Sequence, residues 1–140
     1  SALYLSDYII KHKNDYYLNL RGVTEKQDWE SWIYYMRDMI EQTALKAREQ
    51  IATIETLMAT MGKEIQEALP KVYSKDLLEI LFHLPYTKRS FLEKAGIGNL
   101  KTVGSYLIQL EEKGFLRSES IGKEKLYLNT RFMDVLKQNA

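Results

Sequence analysis

No cysteine occurs in the 140 residues. Disulfide frameworks, thiolate zinc sites and cysteine nucleophiles are therefore excluded. Histidine is almost as scarce: only His12 and His83 are present, too few for a three-histidine metal centre. No apolar run approaches the ~20 residues of a membrane span, so no membrane partner is expected. The charged stretch, apolar stretch and small-residue cleavage site of a signal peptide are also missing, which suits a cytoplasmic location. The chain begins Ser1-Ala2 rather than with methionine, as expected of a fragment or a processed chain.

What is present is an ordinary globular balance. Apolar residues make up 45% and charged residues 28%, enough to bury a core and without a disorder signature. The length suits one domain or two small ones. The net charge of +1 conceals an asymmetry. Residues 1–70 carry 8 Lys+Arg against 11 Asp+Glu, whereas residues 71–140 carry 12 against 8. Two modules are implied, and only the second is suited to face a polyanion.

Both prolines, Pro70 and Pro85, sit where helical periodicity stops. Ser6 is a good N-cap for a helix over residues 7–20, which Arg21-Gly22 should close. A second helix is expected to begin near Asp28, with Trp29, Trp32, Ile33, Met36 and Ile40 on one face. From there Ile40, Ala44, Ala47, Ile51, Ile54, Met58, Met61, Ile65 and Ala68 follow one another at alternating spacings of 4 and 3, the pattern of a coiled coil. Running unbroken from Asp28 to Ala68, such a helix would be about 60 Å long. Either it breaks near Gly62, or its stripe packs on another helix, in the same chain or in a second copy. The residues from Ile40 to Ile65 in this stripe are the candidates for self-association, as a homodimer through a connector helix.

After Pro70, Ser74 should cap a short helix carrying Leu77, Leu78, Ile80, Leu81 and Phe82. Pro85-Tyr86-Thr87 reads as a turn into a helix with Phe91 and Leu92 that ends at Ala95-Gly96. A third helix is predicted from Asn99 to Lys113, stopped by Gly114. Strands at Phe115–Ser120 and Lys125–Asn129 then flank a turn at Gly122, and a last helix starts near Thr130. Three helices and a hairpin in this order spell a winged helix-turn-helix, with the third helix for recognition and Ile121–Glu124 as the wing.

No catalytic set can be assembled. His12 lies between Lys11 and Lys13 and reads as a solvated side chain, while His83 reads as a helix-end residue. Gly96-Ile97-Gly98 has the wrong length for a phosphate loop. DNA recognition has a concrete basis instead. Asn99, Lys101, Thr102, Ser105 and Gln109 would face outward from the recognition helix, with Asn and Gln suited to adenine and Lys to guanine. Lys88 and Arg89 start the preceding helix, and Lys123 and Lys125 sit at the wing, where phosphates would pass. Against this, Glu111-Glu112 would repel a phosphate backbone, and winged helices also dock proteins. A DNA or a protein partner both remain open. Ten tyrosines, six of them before residue 36, fit either an interface or part of a larger aromatic core.

The N-terminal residues carry a family resemblance. Leu3-Tyr4-Leu5-Ser6, Tyr8-Ile9-Ile10, Lys13-Asn14-Asp15-Tyr16-Tyr17 and Asp28-Trp29-Glu30-Ser31-Trp32-Ile33 resemble the stretch that follows the active site in Fic-domain proteins. A helical connector and a C-terminal winged helix, here Tyr86 through Thr130, recur in a common bacterial subgroup. The resemblance implies a parent protein that moves AMP from ATP to hydroxyl side chains of target proteins, with ATP and magnesium as its cofactors. The family signature, H-x-F-x-(D/E)-G-N-G-R-x-x-R, is absent from this sequence, so no catalytic, cofactor-binding or metal residue carries over. Thr60-Met61-Gly62-Lys63-Glu64-Ile65 also fails the family's inhibitory-helix pattern. The expected fold is mainly α. Residues 1–70 would hold a truncated Fic-domain remnant and a long connector helix, and residues 71–140 a winged helix-turn-helix with a small hairpin wing. The expected role is a non-catalytic regulatory or targeting module, the alternative being a dimeric winged-helix DNA-binding regulator.

Overall fold

A computed structural model describes residues 2–138. Its described residues form two compact units, 2–52 and 53–138, divided inside a long helix. In the first unit, α1 (Ala2–Lys11) and α2 (Lys13–Lys26) precede α3 (Trp29–Ala68), whose residues up to Ala52 belong to this unit. The single helix expected over 7–20 is therefore two. His12 leaves helical dihedrals at φ −120°, ψ 38°, with its ring stacked on Tyr8 at 4.2 Å and its Nδ1 3.0 Å from the Tyr8 carbonyl oxygen. Nor does Gly22 end α2. The left-handed turn falls at Gln27, φ 53°, where the Gln27 and Asp28 amides donate to the Val23 and Gly22 carbonyls.

Asp28 opens α3 as the sequence suggests. Its Oδ1 accepts the Ser31 amide at 3.2 Å, and the hydrogen bonds from Ser31 hold its carboxyl below the ordinary range. Among the described residues of this unit, Met39, Thr43 and Tyr8 are buried. Trp32 and Tyr35 gather around Tyr16, with the Tyr16 ring 5.6 Å from Trp32 and 6.4 Å from Tyr35. Trp29, Tyr17 and Tyr34 are exposed, so the aromatic residues divide between core and surface.

α3 does not break at Gly62. A side chain there would place Cβ 2.7 Å from Leu78 Cδ2, so the glycine lets a neighbouring residue approach the helix. The helix enters the second unit at Thr53 and delivers Met61 and Ile65, both 0% exposed, to its core. α4 (Lys75–Leu81) follows, capped by Ser74 Oγ on the Leu77 amide at 3.0 Å. Next come β1 (Tyr86–Thr87), α5 (Arg89–Lys94), α6 (Leu100–Glu112), β2 (Arg117–Ile121), β3 (Glu124–Leu128) and α7 (Thr130–Lys137). Asn99 caps α6 through the Thr102 amide at 2.9 Å.

The three strands form an antiparallel sheet of order β1-β3-β2. The turn expected at Tyr86-Thr87 is a short strand, because Tyr86 pairs with Leu128 and Thr87 with Tyr127. Phe115 and Leu116, expected to begin a strand, instead lie in the loop before β2 and are buried. Gly122 turns β2 into β3 at φ 62°, a conformation glycine adopts without steric cost.

Leu77, Leu81, Leu92, Val103, Leu107 and Leu110 join Met61 and Ile65 in one cluster. Two polar side chains of this unit, Thr87 and Asn129, are buried among the described residues, and Asn129 bridges two helices. Asn129, 1% exposed, donates Nδ2–H to the Leu81 carbonyl at 3.0 Å and accepts the Phe132 amide at 3.3 Å. It thereby ties the end of α4 to the start of α7. Asn129→Ala leaves both backbone groups buried without that partner and is expected to cost about 1–3 kcal/mol. Leu107→Ala, which opens a cavity in the same core, should cost about 2–5 kcal/mol. Urea midpoints measure both.

Candidate interface on the second unit

α6 meets the hairpin along a groove of about 540 Å³ lined by Arg89, Lys101, Gly104, Ser105, Ile108, Gln109, Glu112, Lys125 and Tyr127. Three cations and one carboxylate thus share one concave surface. The geometry follows from a glycine. A Cβ on Gly104 would lie 2.9 Å from Arg89 Cδ, so glycine on this face of α6 is what lets the Arg89 side chain lie across the helix. Lys125, from β3, places its Nζ over the Tyr127 ring at 5.4 Å, which keeps its stem flat against the sheet.

Five of the nine sequence candidates come together here: Arg89, Lys101, Ser105, Gln109 and Lys125. The others are placed differently. Lys88 is held by Glu124 at 2.7 Å and lies over the Phe91 ring at 5.3 Å, so its charge is already matched across α5 and β3. Asn99 spends its side-chain oxygen capping α6, and Thr102 is half-buried behind that cap. Lys123 sits at the exposed turn between β2 and β3. Gln109 Nε2 donates to Ser105 Oγ at 3.1 Å, which leaves the Ser105 hydroxyl hydrogen and the Gln109 Oε1 for a ligand.

Tyr127, Ile108 and Gly104 are groove residues that the sequence reading passed over. Read for its outward polar residues, α6 left Gly104 without a role. Tyr127 is 3% exposed yet lines the groove, with the Lys125 ammonium over its ring.

The two adjacent glutamates have separate roles. Glu112 faces the groove. Glu111 instead accepts the Ser118 amide through Oε2, bracing the end of α6 against β2. Hydrogen bonds from Ser118 hold its carboxyl below the ordinary carboxylate range. His83 is exposed at the end of α4, beside an apolar cleft formed with Ile80, Leu84, Tyr86, Phe91, Lys94 and Ala95.

The coiled-coil candidates also divide. Met61 and Ile65 are fully buried in the second unit, and Ile54 and Met58 pack against its core. Met61 and Ile65 cannot meet a second copy without opening that core, whereas Ile54 and Met58 are half-buried against it. Ile40, Ala44 and Ile51 remain exposed and Ala47 half-exposed.

The fold is a mainly helical one with a small antiparallel sheet and a mixed basic groove beside it. Residues 57–132, more than half of the chain, match the family described as protein adenylyltransferase SoFic-like, C-terminal domain. The chain belongs to that family. Its residues do not fit an ATP–magnesium site of the family's kind. Neither histidine is followed two positions later by phenylalanine, and Asn-Gly-Arg does not occur. Among the described residues no three His, Cys, Asp or Glu side chains gather as a metal site. No described helix is long and apolar enough to cross a membrane.

Because the folded pKa of Glu111 lies below its unfolded value, its stabilising contribution is complete above the ordinary carboxylate pKa of about 4.3. It is lost as pH falls through the depressed folded value. Glu111→Gln is therefore expected to be less stable than wild type at neutral pH, with the gap closing in acid. Urea midpoints at neutral pH and below the carboxylate range measure it.

Proposed function

We propose that this chain is a non-catalytic regulatory or targeting portion of a Fic-family protein whose parent transfers AMP from ATP to hydroxyl side chains of target proteins. The observation that carries the proposal is the family match over residues 57–132 in a chain that lacks the family's catalytic signature. The second unit reads as a winged helix. Its order of helix, short strand, two helices, hairpin and helix suits that fold, with α6 as the recognition helix and the β2–β3 turn as the wing. The first unit reads as trailing helices of the Fic domain. In this reading the groove of Arg89, Lys101 and Lys125 is where the parent meets an acidic partner surface, while the chemistry resides in the parent's own signature.

The test uses radiolabelled ATP with magnesium. The chain alone is expected to transfer no label, and transfer by the chain would overturn the non-catalytic reading. In the full-length parent, Lys101→Ala with Arg89→Ala should reduce labelling of targets while leaving self-labelling unchanged. An equal loss of both, or of neither, removes the targeting role from the groove.

A second reading has its own support, because the same groove gathers Lys101, Ser105, Gln109 and Lys125, residue types that contact phosphates and base edges. In it the winged helix binds duplex DNA. Three groove cations on phosphates would give a log–log salt slope of about −3, and Lys101→Ala would flatten it by about one. Undetectable or salt-independent binding to mixed duplexes rejects DNA as the partner.

A further inference from the structure

The exposed part of the α3 stripe has an internal symmetry. Ile40, Ala44, Ala47 and Ile51 read I-x3-A-x2-A-x3-I, the same spacing in both directions. All four lie in the first unit. Ile40 is 53% and Ile51 57% exposed, although large aliphatic side chains gain from burial. Met39 and Thr43, on the neighbouring face of the helix, are already buried within the unit. The open stripe is thus a second apolar face, separate from the one the unit uses for its own core.

We propose that this face pairs antiparallel with the same face of a second copy of the chain. The inference rests on the first unit alone and does not depend on the function proposed above. A two-fold axis crossing the helix between Ala44 and Ala47 sets Ile40 against Ile51 of the second copy, and Ala44 against Ala47. Each contact occurs twice, as an isologous interface requires. The two small alanines at the centre allow the helix axes to approach to about 8 Å, the close end of the usual range.

Charge decides the direction. Glu41 and Arg48 both flank the stripe on one side, one position after a core residue, and both are exposed. In the antiparallel pair, Glu41 of each copy meets Arg48 of the other, giving two opposite-charge contacts. In a parallel, in-register pair the flanking neighbours would instead be Thr43 with Arg48 and Gln50 with Glu55, with no opposite charges to match. Within one helix Glu41 and Arg48 are seven residues apart, two turns, and do not meet. The existing Arg37–Glu41 contact is long, 3.9 Å, and both partners are more than 60% exposed, so Glu41 is readily redirected.

The full 140-residue chain is studied by sedimentation velocity over a wide concentration range. The mass is expected to rise from one chain to two. Glu41→Arg or Arg48→Glu alone should weaken association by about three- to tenfold, since each turns two attractions into repulsions. The double variant E41R/R48E should recover it. Because the chain has no cysteine, Ala44→Cys and Ala47→Cys variants give an unambiguous register. Mixed and oxidised with glutathione disulfide, they should form mainly the 44–47 heterodisulfide. A chain that stays monomeric at every concentration overturns the proposal. So does a dimer whose charge swap is not rescued, or one in which 44–44 and 47–47 disulfides dominate.

Discussion

The second unit completes its core with the last turns of α3. Met61 and Ile65 lie at its centre beside Leu77, Leu81, Leu107 and Leu110, and Gly62 between them leaves room for Leu78. Helices α4 to α7 and the small sheet otherwise offer one-sided apolar faces, which cannot exclude water alone. Once this core is formed, α6 is fixed by Val103, Leu107 and Leu110, and its opposite face must look outward. The groove of Arg89, Lys101 and Lys125 is therefore a consequence of burial on the other side of the same helix.

A second constraint acts through backbone polarity. Asn129 satisfies the Leu81 carbonyl and the Phe132 amide inside the core, while its own amide donates to the Pro85 carbonyl at 2.9 Å. One residue thus holds the end of α4, the entry to β1 and the start of α7. This anchor places β3 beside β1, and β3 in turn carries Lys125 to the groove and Glu124 to Lys88.

Much of the second unit was legible because its signals are local. Ser74 announced a helix start by its side-chain chemistry and Asn99 marked the next one, and each accepts the amide three residues on; Ser6, read as a cap in the first unit, lies inside α1 instead. Gly122 marked the hairpin. What escaped was set by partners distant in sequence. Tyr86-Thr87 is a strand only because β3 lies beside it, and Phe115-Leu116 leave the strand because the core takes their side chains. His12 divides α1 from α2 through its own dihedrals, which its lysine neighbours do not disclose. The heptad stripe was visible, but not its division of labour. A periodic apolar face shows that something will cover it, and only the packed structure shows that the C-terminal half is covered from within. The groove was half visible: its cations stood out by type, while Gly104 and Tyr127 matter for the space and surface they provide.

Glu111 also bears on the behaviour of the sheet as an open template. With strand order β1-β3-β2, β2 is an edge, and an edge strand offers unpaired amides to any passing chain. The Ser118 amide, turned away from β3, is already occupied by Glu111, and charged Arg117 and Glu119 flank it. The carboxylate thus acts as a gatekeeper against strand addition.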